Sequence, residues 1–419
     1  MSTTNATRQG LQRRILTILS IGQVLGALGT GASFSIGSLM AAHISGTPAL
    51  GGLSATFATL GTALLAFPLA RYANRWGRRW ALSLGLGIAA MGSVIVVCAD
   101  VAQSFPLFIV GIALVGAGNA ANLQTRFAAT DLAQPATRAR DLSLVVWATT
   151  VGVVIGPNLL APGNSFGLIL GLPTLAGAFV IAAFFYVVGV VFYAIALRPD
   201  PLLQARAQRV SDGVEVVSTK RSIGAAFGIL RATPMAAAAV VAMALSHGVM
   251  VAIMSMTPVH LSMMNVVLPL IGLTVSLHTA GMYGFSPLFG WLSDRWGRIS
   301  VILIGQAILL AALIVNTVAS GDMTAVVVSM ILLGLGWSAS TVAASALLTE
   351  SVTPEDRPTV QGLSDTIMSF TGAAAGAAAG ITLAALGYGL LNAVTIALTV
   401  GVTSTVLIVR ARTLGTPTA

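Results

Sequence analysis

The residues of this sequence best equipped for chemistry are thioethers and imidazoles set inside apolar stretches. Met243, His247, Met250 and Met254 follow one another at spacings of four, three and four, so in a helix they share one face. A second apolar stretch carries His278 and Met282, again four apart. Thioether sulfur and neutral imidazole are soft donors that suit Cu(I), whereas magnesium, calcium and manganese favour oxygen. A donor set without carboxylates can release a monovalent cation without stranding a negative charge in hydrocarbon. Met40 and His43, and then Met256, His260, Met263 and Met264, lie near the ends of such stretches, where they would form a vestibule. The same residue types have plainer uses. Methionine fills irregular gaps in apolar cores, and a Met/His face can wall a pathway for a small organic solute such as a vitamin or a drug. An imidazole in hydrocarbon is costly unless partnered, which makes His247 and His278 the groups through which any proton linkage is expected to pass.

These side chains need membrane-crossing helices to position them. The chain has 419 residues, 56% apolar and only 8% charged, a balance that excludes a water-soluble domain. A net charge of +9 could suggest nucleic acid, but the basic residues sit in short breaks between apolar runs, so no nucleic-acid partner is expected. A bilayer core about 30 Å thick takes about 20 apolar residues per helix. Spans are expected to start near Ile15, Leu50, Trp80, Phe105, Leu142, Leu172, Pro234, Val267, Ser300, Thr324, Gly362 and Leu390. An all-α membrane protein of twelve transmembrane helices is therefore expected, with membrane lipid as its partner. The first apolar run is too long for a cleaved signal peptide and is expected to be retained. All 21 Lys and Arg fall on one side of this arrangement, which the positive-inside rule assigns to the cytoplasm together with both termini. If spans seven and eight form an antiparallel hairpin, a rise of about 1.5 Å per residue puts Met250 and His278 at similar depth, with Met254 above and Met282 below. Cys98 is a single cysteine in an apolar run, so neither a disulfide framework nor a Cys-based metal motif is expected.

The polar stretch 198–232 separates residues 1–197 from 233–419, and the two parts repeat one another. Arg75-Trp76-Gly77-Arg78 recurs as Arg295-Trp296-Gly297-Arg298, and the same offset carries Gly152 and Gly156 onto Gly372 and Gly376. Two pseudo-symmetric six-helix bundles follow. Gly77 and Gly297 permit tight turns. Asp294 can satisfy a helix N-terminus or pair with Arg295 or Arg298, as a conformational latch. Small residues four apart let helices approach and slide.

The string from Gly290 through Asp294 to Arg298 resembles the signature loop of the major facilitator superfamily, with Asn74 replacing the acid in the N-terminal copy. Gly152, Gly156 and Pro157 resemble that family's Gly-x-x-x-Gly-Pro element. Met250-x-x-x-Met254 with His278-x-x-x-Met282 is similar to the signature of the CcoA-like bacterial copper importers. That resemblance implies that these four residues bind and pass copper inward by alternating access, to supply cytochrome oxidase assembly. It carries with it a bacterial inner-membrane location, a cytoplasmic copper chaperone as partner and copper as cargo. No prosthetic group is expected, and a monomer is. Met243 and His247 extend the face by spacing alone. The alternative is a small-solute transporter, for riboflavin or in drug efflux. Phe, Trp and Tyr make up only 6% of the chain and few fall mid-helix, which disfavours a stacking pocket for flat solutes. No Gly-x-x-x-x-Gly-Lys motif is present, so ATP-driven pumping and enzymatic activity are not expected.

Overall fold

The structure, a computed structural model, describes residues 2–46, 50, 53–156, 160–173, 175–211, 222–266 and 268–414. Within helices a few side chains, that of Met263 among them, also lie outside the described set. Fifteen helices follow one another: α1 (Ser2–Ser45), α2 (Leu53–Trp76), α3 (Arg78–Val101), α4 (Phe105–Ala128), α5 (Arg138–Ile155), α6 (Leu160–Ile169), α7 (Ala176–Ala196) and α8 (Pro201–Ser211), then α9 (Ile223–Ala232), α10 (Pro234–Met263), α11 (Leu268–Gly284), α12 (Ser286–Trp296), α13 (Arg298–Val318), α14 (Met323–Ser351) and α15 (Arg357–Leu414). Among the described residues nine helical stretches are long and apolar enough to cross a membrane. The expected eighth span divides at Phe285 into α11 and α12. The 58 residues of α15 contain both starts expected at Gly362 and Leu390, more than one crossing at about 1.5 Å per residue requires. Phe184, Ile195 and Val318 stand exposed on these helices, as side chains facing lipid must.

The stretch 198–232 is not a plain polar loop but holds two short helices. Pro201 opens α8, where a missing N–H is harmless, and the Asp200 carboxylate accepts from the N–H groups of Leu202 and Leu203 at 3.0 and 3.1 Å. Ser222 caps α9 by accepting from Ala225 N at 3.2 Å. Local capping opens both helices, and Ile223–Ala232 is an apolar segment within the otherwise polar stretch.

Packing divides the chain into two compact units, one of Met1–Gln134, Ala148–Arg221 and Gln361–Thr366, the other of Pro135–Trp147, Ser222–Val360 and Ile367–Ala419. Both α5 and α15 therefore change unit along their length. In the first unit α4 packs on α2 and α3, and α7 packs on α1 and α3. The fully buried Tyr186 and Tyr193 rings fill the space left by Gly29 and Gly22 of α1. In the second unit α14 is central, contacted by α10, α11, α12 and α13.

Gly77 and Gly297 precede α3 and α13 with φ of +90° and +89°. Nothing lies within 4 Å of a Cβ added at Gly297, so a side chain there meets backbone strain and no clash. Gly297→Ala should therefore cost about 1–3 kcal/mol, seen as a lower midpoint in thermal unfolding of the detergent-purified protein; an unchanged midpoint would show that this turn relaxes.

Candidate substrate site

The Met/His residues of the second unit are brought together by α14 and not by a hairpin of spans seven and eight. α10 and α11 each lie mainly against α14 and touch one another over only a short stretch. The reason is the size of the side chains on α14 and α11. A Cβ on Gly281 would come 2.9 Å from the Ile331 carbonyl oxygen, and one on Gly334 would strike the His278 carbonyl and lie 2.9 Å from Met282 N. Glycine on both faces lets these backbones approach closely.

His278 is fully buried and turns toward α14: its Nδ1 lies 2.8 Å from the Met330 carbonyl oxygen. A carbonyl only accepts, so Nδ1 carries the proton and Nε2 of the neutral ring carries the lone pair. Among the described residues Nε2 has no hydrogen-bond partner. Met250 and Met282 are buried in one apolar cluster with Met330, Leu309, Leu313 and Leu391, and Met254 and Met256 pack against it. The Met243 sulfur accepts from Ser345 Oγ at 3.2 Å.

His247 stands on the same α10 face but belongs to an aromatic group. Trp337 Nε1–H donates to His247 Nδ1 at 3.2 Å, with ring centroids 6.1 Å apart. Tyr283 meets Trp337 edge-on at 5.7 Å and 78°. Trp337 is buried, whereas His247 and Tyr283 are half-buried. The low aromatic content argues against such a cluster. Composition cannot register that rings from α10, α11 and α14 converge.

Within the second unit the described vestibule residues do not form one cluster. The His260 ring stacks on Tyr388 at 4.0 Å and 9°, with Nε2 2.7 Å from Ser320 O, while Met264 packs with Leu261, Ile271 and Val326. Met40 is buried and His43 is exposed in the first unit, where His43 Nε2 lies 3.9 Å from Asp100 Oδ1.

At the arginine-rich ends the loop residues make defined contacts. Asp294 accepts from Ala139 N and Arg140 N at 3.2 and 2.8 Å, at the start of α5, and pairs with Arg298 at 2.8 Å. Arg298 also pairs with Glu350 at 2.7 Å, and Arg295 lies over Trp291 instead of pairing with Asp294. Gly290 sits against Ser143, leaving no room for a side chain. In the other copy Asn74 accepts from Arg206, Arg75 lies over Trp76, and buried Arg78 pairs with Asp131 at 2.9 Å and donates to Gln361 at 2.8 Å. Gly152 lies against Ala27 of α1 and Gly156 is buried; Pro157 lies outside the described residues. Arg126, which the sequence suggests lies in a loop, instead lies within α4, 4% exposed, and forms an ion pair with the fully buried Asp365. An arginine closing a long apolar run is the available signal.

Membrane-length apolar helices packed into two compact units define a polytopic membrane protein, and membership of a transporter superfamily makes it a transporter and not an enzyme. The sequence profile described as Major Facilitator Superfamily matches residues 19–270 and 264–418. The chain belongs to that superfamily. It is 36% identical over 387 residues to an uncharacterized MFS-type transporter, YdeG, of Bacillus subtilis (91% of this chain, 88% of the relative). It is 30% identical over 387 residues to the riboflavin transporter RfnT of Brucella anthropi (91% and 92%). The human organic anion transporter MFSD10 shares the fold at a TM-score of 0.73 and 15% identity, over 94% of this chain and 99% of that one.

Proposed function

We propose that this chain is a secondary transporter of a flat heteroaromatic solute of the riboflavin class, working by alternating access. The observation that carries this reading is the group formed by Trp337, Tyr283 and His247. A heteroaromatic ring system is bound by offset or edge-on aromatic contacts, worth about 0.5–1.5 kcal/mol each beyond burial, and by a few polar groups that fix its orientation. Likeness to a riboflavin transporter over nine-tenths of both chains supports that solute class. In this reading the protein resides in a bacterial inner membrane, with its arginine-rich ends and both termini in the cytoplasm.

One observation favours a second reading, copper import. The His278 imidazole is held through Nδ1 by a backbone carbonyl and keeps a buried Nε2 lone pair without a partner among the described residues, the arrangement in which histidine ligates soft metals. Met250, Met254 and Met282 would complete the donor set for Cu(I), which a cytoplasmic chaperone would receive.

Uptake of radiolabelled riboflavin and of copper into proteoliposomes separates the two. The first reading expects saturable riboflavin uptake that is unaffected by His278→Leu. The second expects copper accumulation that falls in His278→Leu and Met250→Leu at equal protein abundance, since leucine fills the volume but cannot ligate. Absence of riboflavin uptake in active preparations rejects the first reading, and equal copper uptake in all three proteins rejects the second.

A further inference from the structure

We infer that Asp100 and His43 form a proton-binding site that fastens the end of α1 to the end of α3 within the first unit. Asp100 closes the apolar span Arg78–Val101, is fully buried, and has both carboxylate oxygens without a hydrogen-bond partner among the described residues. The Gln103 amide beside it donates to the Asp100 backbone carbonyl at 2.6 Å. A carboxylate at the C-terminal end of a helix also meets the negative end of the helix dipole. Such a buried ion needs a positive partner or a proton. Among the described residues the cation in reach is the His43 imidazole, whose Nε2 lies 3.9 Å from Oδ1 and whose side chain is 55% exposed, so it exchanges protons with water. The other helices packed on α3, which are α2, α4 and α7, bring no charge to this end: residues 15–70, 80–125 and 142–197 contain no Asp, Glu, Lys, Arg or His besides these two. The remaining titratable groups in those stretches are Cys98, exposed on α3, and the phenols Tyr186 and Tyr193 of α7, which bond to Thr30 and Thr125 at 3.2 and 3.5 Å.

The two groups titrate as a unit. With one proton between them the site holds either imidazolium beside carboxylate or neutral imidazole beside carboxylic acid, and neither arrangement strands a lone charge in the interior. A second proton leaves a neutral acid inside and a solvated imidazolium outside. Only loss of the last proton sets a bare carboxylate against apolar surroundings, and the ion is then relieved by reaching water. α1 is the element able to yield, since it meets α3 over only a short stretch and its last turn carries the exposed His43. Alkaline conditions therefore part the end of α1 from α3, and protons restore the contact. His43 is distinct from His247 and His278, the linkage expected from sequence, and the site requires neither of the proposed solutes.

Its test requires no solute either. Amide hydrogen exchange of the full chain in nanodiscs is read by mass spectrometry on the peptides that end α1 and α3, with labelling times scaled to the chemical exchange rate at each pH. Protection at the end of α1 should fall several-fold from mildly acidic to alkaline buffer. In Asp100→Asn, which has no charge to strand, protection should stay level over the same range. In His43→Asn the fall should move to lower pH by about one unit or more, because the last proton then has only the carboxylate to hold it. Level protection in the protein retaining both residues overturns the site, whether or not either variant folds. A fall that persists in Asp100→Asn overturns it equally, and so does an unmoved fall in His43→Asn.

Discussion

Riboflavin uptake by Trp337→Ala should fall about fivefold or more at equal protein abundance, the largest functional loss expected from any single side chain near the site. Trp337 supplies two things at once: an aromatic face shared with Tyr283, and the Nε1–H that holds His247. Loss of one aromatic contact and one buried hydrogen bond amounts to about 1–3 kcal/mol, or roughly five- to a hundredfold or more in affinity. Trp337→Phe keeps the ring and loses the donor, so its uptake should lie between wild type and alanine. Because a Trp→Ala cavity itself costs about 3–5 kcal/mol of stability, both variants are compared after size-exclusion chromatography, with initial rates measured across riboflavin concentration. A loss confined to apparent affinity supports direct contact with the solute. A proportionate loss of folded protein, with unchanged uptake per folded molecule, removes Trp337 from the solute pathway. Copper uptake, if the second reading holds, should be untouched by Trp337→Phe.

What can be read from sequence is whatever is local in the chain. The turns at Gly77 and Gly297 need a backbone conformation that glycine alone adopts easily, so the repeat announces them. Asp294 and Arg298 flank the Gly297 turn within one short motif, so their pairing is one of the local contacts that motif offers. Side-chain periodicity along α10 likewise places Met243, His247, Met250 and Met254 on one face. It does not reveal which helix that face meets. Sequence neighbours α10 and α11 are natural partners for a hairpin, but glycines at 281 and 334 bring α11 closer to α14 than to α10. The aromatic group escapes notice for the same reason. Residues 247, 283 and 337 lie on three helices, and their meeting is a property of tertiary packing. Arg126 and Asp365 show the limit most sharply. Each sits near a helix end, where a charge ordinarily finds water, and only the fold shows that both are dry.

The packing of α11 on α14 carries the other large expectation. Gly334→Val should abolish recovery of folded transporter, whereas Gly321→Val, in the turn before α14 with open space around it, should leave recovery unchanged. A Cβ at residue 334 would collide with the His278 carbonyl and stand 2.9 Å from Met282 N and 3.2 Å from Gly281 C. These are backbone atoms of α11, which cannot swing aside as a side-chain tip can. Overpacking of side chains alone typically costs about 1–3 kcal/mol, and here a whole helix must withdraw. Withdrawal would also lengthen the bond from His278 Nδ1 to the Met330 carbonyl and draw Met282 out of the cluster with Met250 and Met330. Gly334→Ala, with the same first atom and none of the branching, should fold partially and bring both effects within reach of measurement. Fluorescence-detection size-exclusion chromatography gives the folded fraction, and uptake per folded molecule gives the effect on transport. Wild-type recovery of Gly334→Val would mean that α11 and α14 stand farther apart than this packing requires, and the placement of His278 against Met330 would fall with it.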